Sequence, residues 1–279
     1  MSETERPHLD ATALMFPGQG GHAEGMDEPY RDSERYAEML EILGENPFEK
    51  LDEGTRWHQP AIYACSVFAW EAAGRPTGLV AMGHSLGEFA ALVAGGALSF
   101  ADGLRLVELR GRVTSEAAAA TPGAMVAVLG GDYDTVAPLA EEFDVTLAND
   151  NAPGQIVFSG DSTKIEKLTE KAEETGLKAR VLAVTGAFHS PAVAPAVPAM
   201  REALAEVEFR KPEFTVLSCA TAQPFTDPAE ELALNIARGV RWVDTVREAA
   251  RMGATDFVEF GHGRVLAGLV RRIKPGEDA

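Results

Sequence analysis

The sequence predicts an α/β protein in two unequal parts, a large body built on a parallel sheet and a small subdomain inserted into it. Three observations carry that reading. Apolar runs of strand length alternate with stretches of helical spacing, the rhythm of a sheet covered by helices. One strand–helix junction, Gly83-His84-Ser85-Leu86-Gly87-Glu88, carries the Gly-x-Ser-x-Gly pattern of a nucleophile elbow. From Gly123 the rhythm changes to β-α-β-β-α-β, the order of a ferredoxin-like unit, before the first rhythm resumes. Residues 1–121 and 188–279 are therefore assigned to the body and 122–187 to the small subdomain.

The body is expected to open on a loose tail, residues 1–11, then a buried strand at Thr12–Phe16. A glycine-rich loop follows, Pro17-Gly18-Gln19-Gly20-Gly21. Loops after strands of such sheets are where ligands bind, and this glycine spacing matches neither a dinucleotide fingerprint nor a P-loop. Between 29 and 56 the chain is charged, with helical spacing at Tyr36, Met39, Leu40 and Leu43. Gln59-Pro60 opens a helix from Ala61 to about Ala73, since proline suits a first turn. The apolar run Gly78–Met82 is a strand feeding the elbow, and Phe89–Ala94 starts the helix after it. Ser99-Phe-Ala-Asp102 reads as a capping box for a helix through Leu104, Val107 and Leu109 to the alanine run at 117–120.

In the insert, strands are predicted at Met125–Leu129, Val145–Ala148, Gln155–Ser159 and Arg180–Val184, with a helix at Asp134–Phe143. Asn149–Gly154 has the composition of a turn, and Ser162 is placed as the cap of a helix ended by Gly176. The body resumes with a loop, Thr185–Pro191, carrying His189. A helix at 193–206, a strand at Phe214–Cys219, largely helical chain over 229–251, a strand at Thr255–Phe260 and a short helix at Val265–Arg272 complete it.

At 279 residues the chain can bury a sizeable core. No apolar run is long enough to span a membrane, and the acidic Met1–Asp10 lacks the basic and apolar regions of a signal peptide. A cytoplasmic location is expected. The net charge of −18 argues against nucleic acid and anionic membranes as partners. Cys65 and Cys219 sit in apolar contexts without neighbours at metal-ligand spacing, so both read as small buried residues and no metal site is expected.

Lifted out of the sheet at the positive end of a helix, Ser85 is placed as a nucleophile. The same pattern also fits an ordinary strand–helix turn, and the flanking strand and helix favour the elbow. A serine nucleophile needs a base, and the base an orienting partner. His8 and His58 read as structural or solvated, and His84 adjoins Ser85 in the chain, where side chains rarely meet. His22, His189 and His262 remain. Elbow hydrolases place the histidine late in the chain, which keeps His262 in competition, with Glu259 or Asp227 as orienter. The residues alone leave the base open. Arg105, Arg110 and Arg112 lie on one helix, and each has solvation as its ordinary reading.

Read together, a set of ordered motifs resembles the malonyl-CoA:acyl carrier protein transacylases, the acyltransferases of fatty-acid and polyketide synthesis. They are Phe16-Pro-Gly-Gln-Gly20, Gln59-Pro-Ala-Ile62, Gly83–Glu88, Leu109-Arg110-Gly111, Ala148-Asn-Asp-Asn151, Pro153-Gly-Gln-Ile156, Gly186-Ala-Phe-His189, Val240-Arg-Trp242, Glu259-Phe-Gly and Val265-Leu-Ala-Gly-Leu269. The likeness covers nearly the whole chain and implies a hydrolase-like α/β body with a ferredoxin-like insert.

By this resemblance Ser85 is the residue that takes the acyl group, and His189 is its base. A main-chain carbonyl, at the position matching Asn235, orients the histidine. The backbone N–H groups of Gln19 and Leu86 form the oxyanion hole, and Arg110 grips the malonyl carboxylate. Leu86 and Phe188 resemble malonyl-selective members, with the Phe188 ring occupying the space of an α-methyl group. The implied donor is malonyl-CoA, a CoA thioester, and the implied partner a phosphopantetheinylated acyl carrier protein. No bound cofactor is implied, and a monomer is expected.

Departures from the pattern are Gly21-His22, Gly261-His262-Gly263, Gly239 and a short 22–58 segment. They leave open a trans-acting enzyme for an unusual acyl unit or carrier. A hydrolase clearing acyl groups from carrier proteins is a second reading, and a dead docking subunit a third, against which Ser85, His189 and Arg110 together argue. Carrier proteins are acidic like this chain, so a local basic patch is expected among Arg238, Arg241, Arg264, Arg271, Arg272 and Lys274.

Overall fold

The computed structural model describes residues 6–184 and 186–275. Four parallel strands form the centre of the body: β1 (His8–Phe16), β2 (Thr77–Gly83), β7 (Thr215–Ser218) and β10 (Asp256–Glu259). Their order is β10-β1-β2-β7, closed at one edge by the short antiparallel strand β8 (Gln223–Pro224). Successive side chains of a strand point to opposite faces. Here Leu14, Phe16, Ala81 and Val216 enter one core, while Ala13, Met15, Val80, Met82 and Leu217 enter another. Both faces are covered, and that is why β1 reads as an unbroken apolar run rather than an alternating one.

The first core is closed by α1 (Glu34–Leu43), α2 (Thr55–Ala72), α3 (Gly87–Ala94), α4 (Phe100–Ala120), α8 (Val197–Ala205) and α9 (Pro228–Asn235). The second lies under α10 (Trp242–Arg251) and α11 (Val265–Ile273). No helix among the described residues is long and apolar enough to cross a membrane.

A second sheet holds β3 (Ala124–Leu129), β4 (Thr146–Ala152), β5 (Gln155–Gly160) and β6 (Lys178–Val181) in the order β6-β3-β5-β4, all antiparallel. Two short helices, α5 (Tyr133–Val136) and α6 (Leu139–Glu142), and the longer α7 (Ser162–Glu174) complete the β-α-β-β-α-β unit. Val126, Val128, Ile156 and Phe158 pack on Ile165, Leu168 and Ala172 of α7, whereas Met125, Ala127 and Val157 face the body. A fifth strand, β9 (Val240–Arg241), comes from the body and pairs in parallel with β4 at Asn149 and Asp150.

Several expectations are corrected. Strand β1 begins at His8, not Thr12, because His8 and Leu9 already pair with Thr77 and Gly78 before a register shift. Residues 1–5 of the expected tail lie outside the described residues, as does Thr185 of the His189 loop. Helix α2 begins at Thr55, with Pro60 inside it. A proline lacks the N–H that would bond the carbonyl four residues back, here Arg56. Helix α4 crosses closely at that carbonyl, where a Cβ on Gly111 would lie 2.6 Å from it.

Asn149–Ala152 continues β4 instead of turning, since pairing with β5 and β9 outweighs its turn-like composition, and the hairpin is Pro153-Gly154 alone. Asp161 caps α7, not Ser162, accepting from the N–H groups of Thr163 and Lys164. Pro138 divides the expected 134–143 helix into α5 and α6. Strand β9 interrupts the largely helical stretch expected over 229–251.

The elbow depends on its glycines. A Cβ on Gly83 would run into the Gly87–Glu88 backbone, and one on Gly87 into the Phe16 carbonyl. Neither obstacle is a flexible side chain, so the backbone itself must shift. Gly87→Ala is expected to cost at least about 3 kcal/mol, the upper range for overpacking. Thermal unfolding should show a Tm roughly 6–12 °C lower, or soluble protein should be lost. Gly268→Ala, where a Cβ meets only the Arg271 side chain at 3.8 Å, should be neutral or stabilising.

Candidate active site

Strand β2 ends at the elbow and places Ser85 in the left-handed region, φ 51°. Such backbone is uncommon for a non-glycine residue and recurs at functional positions. The Ser85 N–H points at Cys219 Sγ, 3.3 Å away, at the end of β7. Its Oγ lies 2.8 Å from His189 Nε2 and 2.9 Å from Arg110 Nη2. All three side chains are buried.

The hydrogen bonds define one proton arrangement. His189 Nδ1 faces two carbonyls, Arg238 O at 2.7 Å and Asn235 O at 3.1 Å, so it carries the proton and donates. Nε2 is then the acceptor for the Ser85 hydroxyl, and that hydroxyl accepts from Arg110. Burial first, then the positive charge of Arg110, pushes His189 down to about 3, so the imidazole is neutral around pH 7. His189 also has positive φ, 57°.

Arg110 projects from α4 with its other Nη on Gln59 Oε1 at 2.8 Å. Gln59 is fully buried and is itself held by Thr114 at 3.3 Å. Burial lowers Arg110 to about 10, opposed by the charge of Glu88, and it remains a cation at neutral pH. Solvation, the ordinary reading of a helical arginine, does not hold for Arg110.

The loop after β1 abuts the elbow, and a Cβ on Gly18 would strike the His84 carbonyl. Gln19 lies on this loop, and Leu86 caps the start of α3 directly after Ser85. Among the described residues neither backbone N–H finds an acceptor. A cleft of about 590 Å³ opens here between body and insert. The glycine loop, His84, Asn151, Val157, Leu182, Leu266 and Leu269 line it, and it reaches His84 while Ser85, Leu86, Arg110 and His189 are not among the lining residues. His84 turns away from the serine and donates from Nε2 to Asn151 Oδ1 at 2.8 Å.

The competing bases are elsewhere. His262 is exposed, Glu259 accepts from the N–H groups of Leu266 and Ala267, and Asp227 caps α9. His22 stacks on His58 with ring centroids 3.7 Å apart, on the cleft wall. Phe188 is buried in the first core beside His189 and is not among the cleft-lining residues.

Of the expected basic patch, Arg241 is paired with Asp244 and Arg272 is bound to Gln155 and the Pro153 and Gly154 carbonyls. Arg264 and Arg271 are exposed on α11 and its cap. Sequence reasoning assigned no role to Gln59, Glu88, Cys219 or the Arg238 carbonyl. The Gln59-Pro60 motif was visible, but nothing in it showed which arginine it supports. Among the described residues no three His, Cys, Asp or Glu side chains are grouped to hold a metal ion.

A serine on a strand–helix elbow, at hydrogen-bond distance from a neutral histidine, is an arrangement suited to attack on an acyl carbonyl. The chain belongs to the acyl transferase family: the model described as acyl transferase domain matches residues 30–278. It is 39% identical over 94% of its length to the polyketide biosynthesis protein ThaF of Burkholderia thailandensis, spanning only 24% of that larger protein. It is 34% identical to the malonyl CoA-acyl carrier protein transacylase of Bacillus subtilis, covering 95% of this chain and 91% of that one. A solved complex of a type II polyketide acyl-carrier protein with its malonyl-transacylase matches with TM-score 0.88 and 31% identity, over 94% of this chain and 92% of that chain.

Proposed function

We propose that this enzyme moves a malonyl group from CoA to the phosphopantetheine thiol of an acyl carrier protein, by way of an ester on Ser85. It serves fatty-acid or polyketide synthesis. The observation that carries the reading is the buried chain Arg110–Ser85–His189, which joins a carboxylate-binding fork to a nucleophile and its base.

In the first half-reaction His189 Nε2 takes the Ser85 proton as Oγ attacks the thioester carbonyl. The carbonyl oxygen becomes an anion facing the Gln19 and Leu86 N–H groups. The C–S bond then breaks, and the imidazolium returns its proton to the departing CoA sulfur. In the second half the carrier's thiol gives its proton to Nε2, and its sulfur attacks the ester. The C–O bond breaks and Ser85 Oγ recovers the proton.

Arg110 turns its fork from Oγ to the malonyl carboxylate, a bidentate geometry that lysine lacks. Phe188, next to the base His189 rather than in the open cleft, crowds an α-methyl group on the Ser85 ester, a discrimination of about 1–3 kcal/mol. The protein acts as a monomer in the cytoplasm and holds no bound cofactor. It meets the carrier at the cleft mouth, where Arg264 and Arg271 offer positive charge.

The test is intact-protein mass after brief incubation with malonyl-CoA. Wild type is expected to gain a malonyl adduct that passes to an added phosphopantetheinylated carrier protein, and Ser85→Ala to gain none. An adduct lost as free malonate without charging any carrier would instead establish a hydrolase.

A further inference from the structure

We propose that Glu88 is a positioning residue that braces both members of the catalytic pair, Ser85 and His189, through their backing residues Cys219 and Asn235. The proposal rests on the acyl-serine reading above.

Glu88 lies in the first turn of α3, three residues after Ser85, and is fully buried. It faces inward, away from the cleft, to where β7 ends and α9 ends. One carboxylate oxygen accepts from the Cys219 N–H at 2.6 Å, and the other accepts from Asn235 Nδ2. Each of these neighbours touches one catalytic residue. Cys219 Sγ receives the Ser85 N–H at 3.3 Å, and the Asn235 carbonyl receives His189 Nδ1–H at 3.1 Å. A single carboxylate thus ties together the elbow, the end of β7 and the end of α9.

Both oxygens accept, and the carboxylate does so most strongly. Protonation makes one oxygen a weaker acceptor carrying a donor that needs a partner of its own, and an amide puts an NH2 donor against the donor of Cys219 or of Asn235. Burial pushes the Glu88 carboxyl up to about 7, with the hydrogen bonds from Cys219, Asn235 and Ser218 opposing it. The groups facing it are Ser218 at the end of β7, Cys219 just after it, Asn235 from α9, and the Arg110 cation from α4. The bracing is therefore complete above about pH 7 and is lost as pH falls through that value. His189, held near 3, does not titrate in this range.

The experiment is single-turnover acylation of Ser85 by malonyl-CoA between pH 5.5 and 8.5, read by intact-protein mass. Wild type should lose acylation rate on the acid side with an apparent midpoint near pH 7. Glu88→Gln should fold, acylate about 10–100-fold more slowly, keep its KM for malonyl-CoA within about twofold, and show no such limb. Glu88→Asp, which keeps the charge, should keep the limb.

A wild-type rate that is flat across this range overturns the proposal, whatever the variants do. A Glu88→Gln enzyme with wild-type rate, or with the same acid limb as wild type, also overturns it. Failure of wild type to form any malonyl ester overturns the acyl-serine reading itself. A normal ester with an indifferent Glu88 leaves that reading standing and removes only the bracing role.

Discussion

His189→Ala is expected to slow acylation of Ser85 by malonyl-CoA about 10⁴-fold. The scale is that of removing the base from a serine–histidine unit, where oxyanion donors and substrate binding sustain the residual rate. With Nδ1 committed to two carbonyls, Nε2 is the only ring atom that can take the proton, and it lies 2.8 Å from Oγ. No second imidazole substitutes: His84 is held by Asn151, and His22 is stacked on His58. The two residues act as a unit, so the residual malonyl transfer to carrier by Ser85→Ala/His189→Ala should be no slower than that by Ser85→Ala alone. Additive losses in stopped-flow assays, or a His189→Ala enzyme within tenfold of wild type, would count against the assignment. The lowered pKa of His189 fixes the sign of its pH effect. Protonation would silence the base, with its midpoint at about pH 3, well below the pH at which the assay runs.

The second large effect concerns Arg110. Arg110→Ala should lower kcat/KM for malonyl-CoA by roughly 10²–10³, the equivalent of about 3–4 kcal/mol for a buried charge-assisted pair broken on one side. Acetyl-CoA, which has no carboxylate, should be used as well as before or better. In the free enzyme Arg110 donates to Ser85 Oγ at 2.9 Å, a bond that lowers the nucleophilicity of that oxygen. A substrate carboxylate draws the guanidinium off the serine, while an acetyl group offers nothing in exchange. Arg110→Lys keeps the charge without the planar fork and should recover only part of the malonyl activity. Steady-state kinetics on both thioesters decide the matter: equal losses on malonyl and acetyl would show that Arg110 only supports the site.

Much of this was legible from residue patterns, for identifiable reasons. Strands buried on both faces announce themselves as apolar runs, so β1, β2, β3, β5 and β7 were placed within a few residues. The elbow was legible because its glycines answer to backbone collisions that any sequence must avoid. What escaped depends on neighbours distant in the chain. His8 and Leu9 look like tail until Thr77 and Gly78 pair with them. Asn149–Ala152 looks like a turn until β9 arrives beside it. Pro60 looks like a helix start until Gly111 makes room for the carbonyl it strands. The histidine was undecidable from residue types, since His189 and His262 both follow the serine, and it took the family likeness to separate them. Glu88 was visible inside the elbow motif, yet its partners, Cys219 and Asn235, lie on other elements, and no local pattern announces such a meeting.

The way the two sheets share chain has a practical consequence for recombining this enzyme with its relatives. The insert is contiguous in sequence, but its outer strand β9 belongs to the body, immediately before Trp242. Its hairpin is also pinned from α11, where Arg272 holds Gln155 and the Pro153 and Gly154 carbonyls. A chimera that exchanges only the contiguous segment would set a foreign β4 edge against a resident β9 and leave Arg272 facing an unfamiliar turn. A workable graft is discontinuous: it carries Val240, Arg241 and Arg272 along with the segment, so that both fastenings travel with the piece they hold.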